Sequence, residues 1–97
     1  MCVECHSPRD QDGRLIPDKE FTGAPIPVER PSWAGGDWAL RAPRNRGLPG
    51  YSVELAVRLL VNGGVDREGR QLRAPMPRFR MNVQDAADVV AYLKSLP

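Results

Sequence analysis

This 97-residue chain has no apolar run longer than five residues. The longest, Val89-Val90-Ala91-Tyr92-Leu93, is far too short to cross a bilayer. It has only six aromatic side chains, so little bulky material is on hand to fill a core. Charge of one sign is lacking too: 14 basic against 12 acidic residues leave a net +2, too balanced to suggest a nucleic-acid partner by itself. The two cysteines and single histidine are too few for a four-ligand structural zinc site unless carboxylates complete it.

Proline and glycine are abundant, at ten and nine residues. Proline is at about twice its average usage, which argues for a loop-rich fold with few, short regular elements. From Ser7 to Gly50 these residues interrupt every candidate run, so the segment reads as one long connected loop region. A loop that long is uncommon in a compact domain unless it wraps something. Two helices stand out behind it. One starts at the N-cap Ser52, carries Val53, Ala56, Val57, Leu60 and Val61, and stops at Gly63-Gly64. The other runs from about Asn82 to Leu96 with Val83, Ala86, Ala87, Val90, Leu93 and Leu96 on one stripe. No segment alternates as a strand, and no internal repeat or domain boundary is apparent. The expectation is a single all-α domain over residues 1–97.

Charge is divided unevenly along the chain. Residues 1–40 carry four basic and seven acidic groups, whereas residues 41–80 carry nine and three. Twelve of the 14 cations are arginine. Most arginines of the second stretch read as a solvated face.

All the soft ligands other than methionine sit in Cys2-Val3-Glu4-Cys5-His6, a C-x-x-C-H motif. That spacing is the signature of c-type haem attachment: each thiol adds to a vinyl group on one porphyrin edge, and the next residue's imidazole projects to the iron. A thioredoxin-like redox pair would need a βαβ context that this helix-and-loop pattern lacks. A haem-ligating His6 also removes the only base from which a Ser-His-Asp set could be built.

A thioether is a common second axial ligand, and the chain has three methionines. Met1 adjoins Cys2 and cannot reach the opposite side of the ring. Met76 lies between Pro75 and Pro77, which fix the backbone on both sides and remove a donor, so it suits ligation from a stiff loop. Met81, one residue before the second helix cap, is the alternative and suits core filling. Asp10-Gln11-Asp12-Gly13 and Asp66-Arg67-Glu68-Gly69 fail as calcium loops, because their twelfth positions are Lys19 and Pro75; both read as turns. Trp33 and Trp38 flank Gly35-Gly36 and are expected to cover the haem edge or the core.

Taken together, the C-x-x-C-H opening, the GLPGY turn, NGGVDREGR, the PMP-x-F segment and the closing DAADVVAYLKSL resemble the class I monohaem cytochromes c of bacterial, periplasmic type along essentially the whole chain. The resemblance implies a small cytochrome c fold: few helices and long loops wrapped around one covalently bound haem c. It implies covalent attachment at Cys2 and Cys5, His6 as proximal ligand and Met76 as distal ligand. Tyr51 falls at the haem propionate edge, Asn45 and Arg46 in the loop that meets the propionates, and Pro25, Leu55, Leu60, Leu72 and Phe79 complete the pocket. Members of the family carry a helix before the first cysteine that crosses the closing helix, against which the aromatic at the Tyr92 position packs. Without it, the stripe Val83, Ala86, Val90, Leu93 is expected to have lost its main partner. We expect the missing helix and an export signal upstream of Met1, the alternative being a helix supplied by a neighbouring polypeptide, and a periplasmic or extracytoplasmic location.

The implied function is one-electron transfer rather than enzyme catalysis, with redox partner proteins whose acidic faces would meet Arg73, Arg78 and Arg80, and no nucleic-acid partner. Docking of that kind is small and transient, below about 1,200 Å². Two other functions share the same residues: a fixed haem relay in a larger dehydrogenase, oxidase or photosynthetic complex, and a haem sensor or weak peroxidase whose methionine leaves the iron.

Overall fold

The computed structural model describes residues 2–97, so Met1 and its expected position beside Cys2 lie outside the described residues. The chain divides into two compact units, one ending at Arg46 and the other spanning Gly47–Pro97.

The first unit begins with a single helical turn, α1 (Cys2–His6). Beyond it the unit is largely irregular, as the glycine and proline spacing predicts, but it is anchored by a two-residue ribbon. Strand β1 (Ala24–Pro25) pairs antiparallel with β2 (Arg41–Ala42), Ala24 opposite Ala42 and Pro25 opposite Arg41. Strands this short cannot show an alternating pattern, which is why no periodicity marks them in the sequence. Gly23 makes the ribbon possible. Its φ is +96°, and a Cβ there would sit 3.0 Å from the Ala42 carbonyl oxygen and 3.1 Å from the Arg44 nitrogen. Between the strands, a 3-10 helix covers Ser32–Asp37. Trp33, on this helix, is 82% exposed. Trp38 is half-buried.

The second unit is built on α2 (Val53–Val61) and α3 (Val83–Ser95). Both start where the capping residues direct. Ser52 Oγ accepts the Leu55 N–H at 3.1 Å, and Asn82 Oδ1 accepts the Asp85 N–H at 2.8 Å. The Lys94 ammonium, in the last turn of α3, donates to the Tyr51 carbonyl. Ala56 and Leu60 of α2 meet Ala86 and Val90 of α3, small side chains that let the helices approach closely. Within this unit, α2 thus covers the Ala86 and Val90 part of the α3 stripe. Leu93 is buried outside that cluster, and Val83, in the first turn, is 64% exposed. Tyr92 is also exposed.

A repeat too short to stand out in sequence emerges in three dimensions. Asp10-Gln-Asp-Gly-Arg14 and Asp66-Arg-Glu-Gly-Arg70 form the same turn, one in each unit. Asp10 Oδ1 accepts the N–H of Asp12 (2.9 Å) and Arg14 (3.0 Å). Asp66 Oδ1 accepts those of Glu68 (2.9 Å) and Arg70 (2.8 Å). In each turn the aspartate N–H donates to the arginine carbonyl and the glycine N–H to the aspartate carbonyl. A bridge closes each just outside, Arg9 with Leu15 and Val65 with Gln71. Both segments are turns, as expected.

Candidate functional site

The first unit presents the C-x-x-C-H residues from α1. Cys2 and Cys5, both free and half-buried, stand three residues apart and so share one side of the helical turn. His6 is buried, and its Nδ1 donates to the Pro43 carbonyl oxygen at 2.7 Å. A carbonyl can only accept, so the ring hydrogen belongs on Nδ1 and the Nε2 lone pair is left for a metal. The His6 carbonyl in turn accepts the Gly23 N–H at 2.8 Å, and the buried Ser7 hydroxyl accepts the Phe21 N–H at 2.9 Å. The histidine is thus held on both sides by the segments that the β1–β2 ribbon brings together.

The neighbouring loop is tied to the same place. The Phe21 carbonyl accepts the N–H of both Asn45 (3.0 Å) and Arg46 (2.9 Å), and Phe21 adopts a left-handed φ of 62° to present it. Arg46 Nη1 donates to the Glu20 carbonyl at 3.0 Å and lies 3.8 Å from Glu20 Oε2. Asn45 Oδ1 is buried with no hydrogen-bond partner among the described residues. Pro25 is on the exposed side of β1.

The second unit carries the methionines. Met76 is half-buried on a loop whose Ala74–Pro75 peptide is cis, and its N–H donates to the Arg73 carbonyl at 3.3 Å. Gly63-Gly64, read from sequence only as a helix stop, pins this loop at both ends. The Gly64 carbonyl accepts the Leu72 N–H at 2.8 Å, and the Gly63 N–H donates to the Phe79 carbonyl at 2.9 Å. The Met81 N–H then donates to the Leu60 carbonyl at 2.9 Å. Both glycines have positive φ, +79° and +87°, which side-chain-bearing residues rarely adopt. Met81 packs against the α2–α3 core, whereas Met76 takes no part in that cluster.

The remaining expected pocket residues divide into two groups. Leu60 is fully engaged between the helices, and Tyr51 and Phe79 pack against the same cluster while remaining half-exposed. Leu55 and Leu72 are half-buried outside it. Above Tyr51 lies the Arg67 guanidinium, 5.9 Å from the ring centroid, and Gly50 leaves room for it: a Cβ there would collide with Arg67 Nη1. Arg58 reaches from the last turn of α2 to the Asp66 carbonyl at 2.6 Å, steadying the turn that precedes the Met76 loop.

Sequence reasoning missed Gly23, Pro43, Arg58 and the double role of Gly63-Gly64. It also missed that the two D-x-x-G-R segments form one repeated turn, although their residues recur with identical spacing.

The donor set fits a covalent haem. Two thiols on one helical face, a histidine with Nε2 free and a thioether are soft and borderline ligands suited to porphyrin iron, unlike the oxygen donors a calcium or magnesium site needs. The buried apolar core also fits a cofactor that brings its own apolar surface. Its members are Ala24, Ala42, Ala56, Leu60, Ala86, Val90 and Leu93, four of them alanine, and no aromatic ring is fully buried among the described residues. No curated protein and no solved structure matches the chain. The family model described as Cytochrome c matches residues 1–97. With that match along the whole sequence, this is a small, loop-rich, all-α member of the cytochrome c family, whose cofactor is covalently attached haem c and whose work is electron transfer.

Proposed function

We propose that residues 1–97 work as one cytochrome c domain whose haem is bonded to Cys2 and Cys5 and ligated by His6 and Met76. When bound, the haem supplies reversible one-electron chemistry at iron ligated on both faces, with no open position for a substrate. The chain's own residues do the rest. Pro43 and Gly23 hold the His6 ring and main chain, which fixes the tautomer and makes the imidazole a better donor. Gly63-Gly64 hold both ends of the loop bearing Met76, so the thioether is offered from a fixed base. Asn45, with its buried amide oxygen unpartnered, and Arg46 and Tyr51 are assigned to the propionate edge, where an amide turned the other way would donate from the same buried position. Leu55, Leu72 and Phe79 offer half-buried apolar surface to the ring, Leu60 backs them from the helix core, and Pro25 is assigned to the pocket from the exposed side of β1.

The observation that carries this reading is the His6–Pro43 hydrogen bond, because it readies one nitrogen, and only one, for iron. The packing of Met81 against the helix core supports Met76 over it. Magnetic circular dichroism of the ferric protein tests the ligand pair. A methionine–iron charge-transfer band present in the parent and absent in Met76→Ala is the expected result, and its loss in Met81→Ala instead would transfer the role to Met81. We place the domain in the periplasm or another extracytoplasmic compartment, because covalent haem attachment in bacteria follows export.

A fixed relay subunit is the second reading. Trp33 and Leu40 are both highly exposed on the segment between β1 and β2, and large exposed apolar side chains mark protein interfaces. Size-exclusion of the native material separates the two: a free carrier elutes as a monomer, a relay with its complex.

A further inference from the structure

The chain has three asparagines, Asn45, Asn62 and Asn82, and only Asn62 is followed by glycine. That pair has a chemistry of its own. With no side chain on the next residue, the main-chain nitrogen can reach the asparagine Cγ and close a succinimide ring. The three side chains are also placed differently. Asn45 Oδ1 is buried. Asn82 uses both ends of its amide on Asp85, accepting from its N–H at 2.8 Å and donating to its carboxylate at 3.2 Å. Asn62 is exposed at the C-cap of α2, and its amide makes no hydrogen bond among the described residues. Its Cγ is open to attack.

The nucleophile, by contrast, is held. The Gly63 N–H donates to the Phe79 carbonyl at 2.9 Å, and that proton must leave before the nitrogen attacks. The peptide plane is fixed on both sides, by the Asn62 N–H on the Arg58 carbonyl (2.8 Å) and the Gly64 N–H on the Leu59 carbonyl (3.1 Å). At the Asn62 ψ of 22° the Gly63 nitrogen points away from the Asn62 Cβ, so ring closure needs this plane to turn. Turning it breaks the bond to Phe79, one of the two by which the glycine pair holds the Met76 loop. An exposed electrophile thus sits beside a nucleophile that the docked loop keeps idle.

We propose that Asn62-Gly63 is a deamidation site kept shut by the docked Met76 loop, so that its modification records release of the loop. The proposal rests on the reading of Met76 as the iron ligand, which is what keeps the loop docked. In the reaction the Gly63 nitrogen gives its proton to solvent base and bonds to Asn62 Cγ. The Cγ–Nδ2 bond breaks, and Nδ2 leaves as ammonia with a proton from water. Water then opens the succinimide, its hydroxyl going to one carbonyl carbon and its hydrogen to the nitrogen; nothing is oxidised or reduced. Opening at the side-chain carbonyl gives aspartate. Opening at the main-chain carbonyl gives isoaspartate, whose main chain is one carbon longer before Gly63. That extra carbon moves the Gly63 N–H off the Phe79 carbonyl, so the loop cannot dock again as before.

The test incubates the holoprotein at mildly alkaline pH and follows the peptide carrying residue 62 by mass spectrometry, with isoaspartate labelled by an isoaspartyl methyltransferase. Conversion should be about tenfold faster in Met76→Ala, and in the parent saturated with imidazole, than in the parent alone, since modification of a transiently opened segment follows the open population. In guanidinium chloride it should be faster still, and Asn62→Gln should show none. Equal rates in the folded and the unfolded parent would overturn the proposal, as would conversion of Asn45 or Asn82 ahead of Asn62. The methionine–iron band is recorded on the same samples. If Met76→Ala loses the band and residue 62 converts no faster, the loop does not guard the site, and the ligand reading stands. If Met76→Ala keeps the band, the ligand reading fails, and the folded and unfolded parents alone decide whether the fold shuts the site.

Discussion

The His6 imidazole and the Pro43 carbonyl are 37 residues apart in sequence and 2.7 Å apart in space, joined by a hydrogen bond from Nδ1. That bond depends on the ribbon Ala24–Pro25/Arg41–Ala42, and the ribbon on a glycine at position 23. Gly23→Ala would force a left-handed φ on a residue with a Cβ and push that carbon against the Ala42 carbonyl. The cost should be about 1–3 kcal/mol, read as a lower denaturation midpoint. A substitution that left the midpoint unchanged would show that the ribbon does not need the close approach.

Met76→Ala should lower the reduction potential, remove the methionine–iron band and let the ferric protein bind imidazole or cyanide readily, because a thioether ligand favours reduced iron. Met81→Ala should keep the band and the potential but lose stability, by about 1–3 kcal/mol for a half-buried methionine against the helix core. Equilibrium redox titration and thermal melts on the two variants separate the roles.

Gly63 and Gly64 connect helix packing to the proposed ligand loop. Alanine at either position should cost about 1–2 kcal/mol through its positive φ. It should also raise the affinity of the ferric protein for exogenous imidazole, as a loosened loop holds the methionine less well. Destabilisation without easier imidazole binding would mean that the glycines serve only to end α2.

The twin turns give a matched pair of measurements. Asp66→Ala removes the acceptor of two backbone N–H groups and should cost about 1–2 kcal/mol, whereas Asp66→Asn, which keeps Oδ1, should restore most of it. Asp10→Ala should behave alike, since its carboxylate accepts the same two bonds.

How far the sequence can be read depends on what each element rests on. Helices α2 and α3 are legible almost to the residue, because Ser52 and Asn82 are local capping signals and the apolar stripes repeat over several turns. The C-x-x-C-H motif is legible because all its chemistry lies in five adjacent residues. Pro43 is not: it acts through its carbonyl, which every residue has, and only its place opposite His6 singles it out. Gly23 and Gly63-Gly64 are visible as chain breaks, yet which segments they bring together is a non-local fact. Trp33 is exposed on its 3-10 helix, and what an aromatic in a glycine-rich loop covers is a non-local fact that its neighbours in sequence do not carry.

The scarcity of core-filling side chains also becomes a prediction. With Val90 the largest fully buried side chain among the described residues, the polypeptide alone should bury too little apolar surface to offset its conformational entropy. Apoprotein made by replacing both cysteines with alanine should therefore melt without a cooperative transition, and calorimetry would register a sharp one if the core were self-sufficient.

The most direct measurement is the intact mass of the protein from a host competent for cytochrome c maturation, together with its pyridine haemochrome spectrum. The account predicts a mass increased by one haem, lost when Cys2 and Cys5 are both replaced, and a spectrum typical of two thioether linkages. Unmodified mass in protein from a host competent for cytochrome c maturation would contradict it.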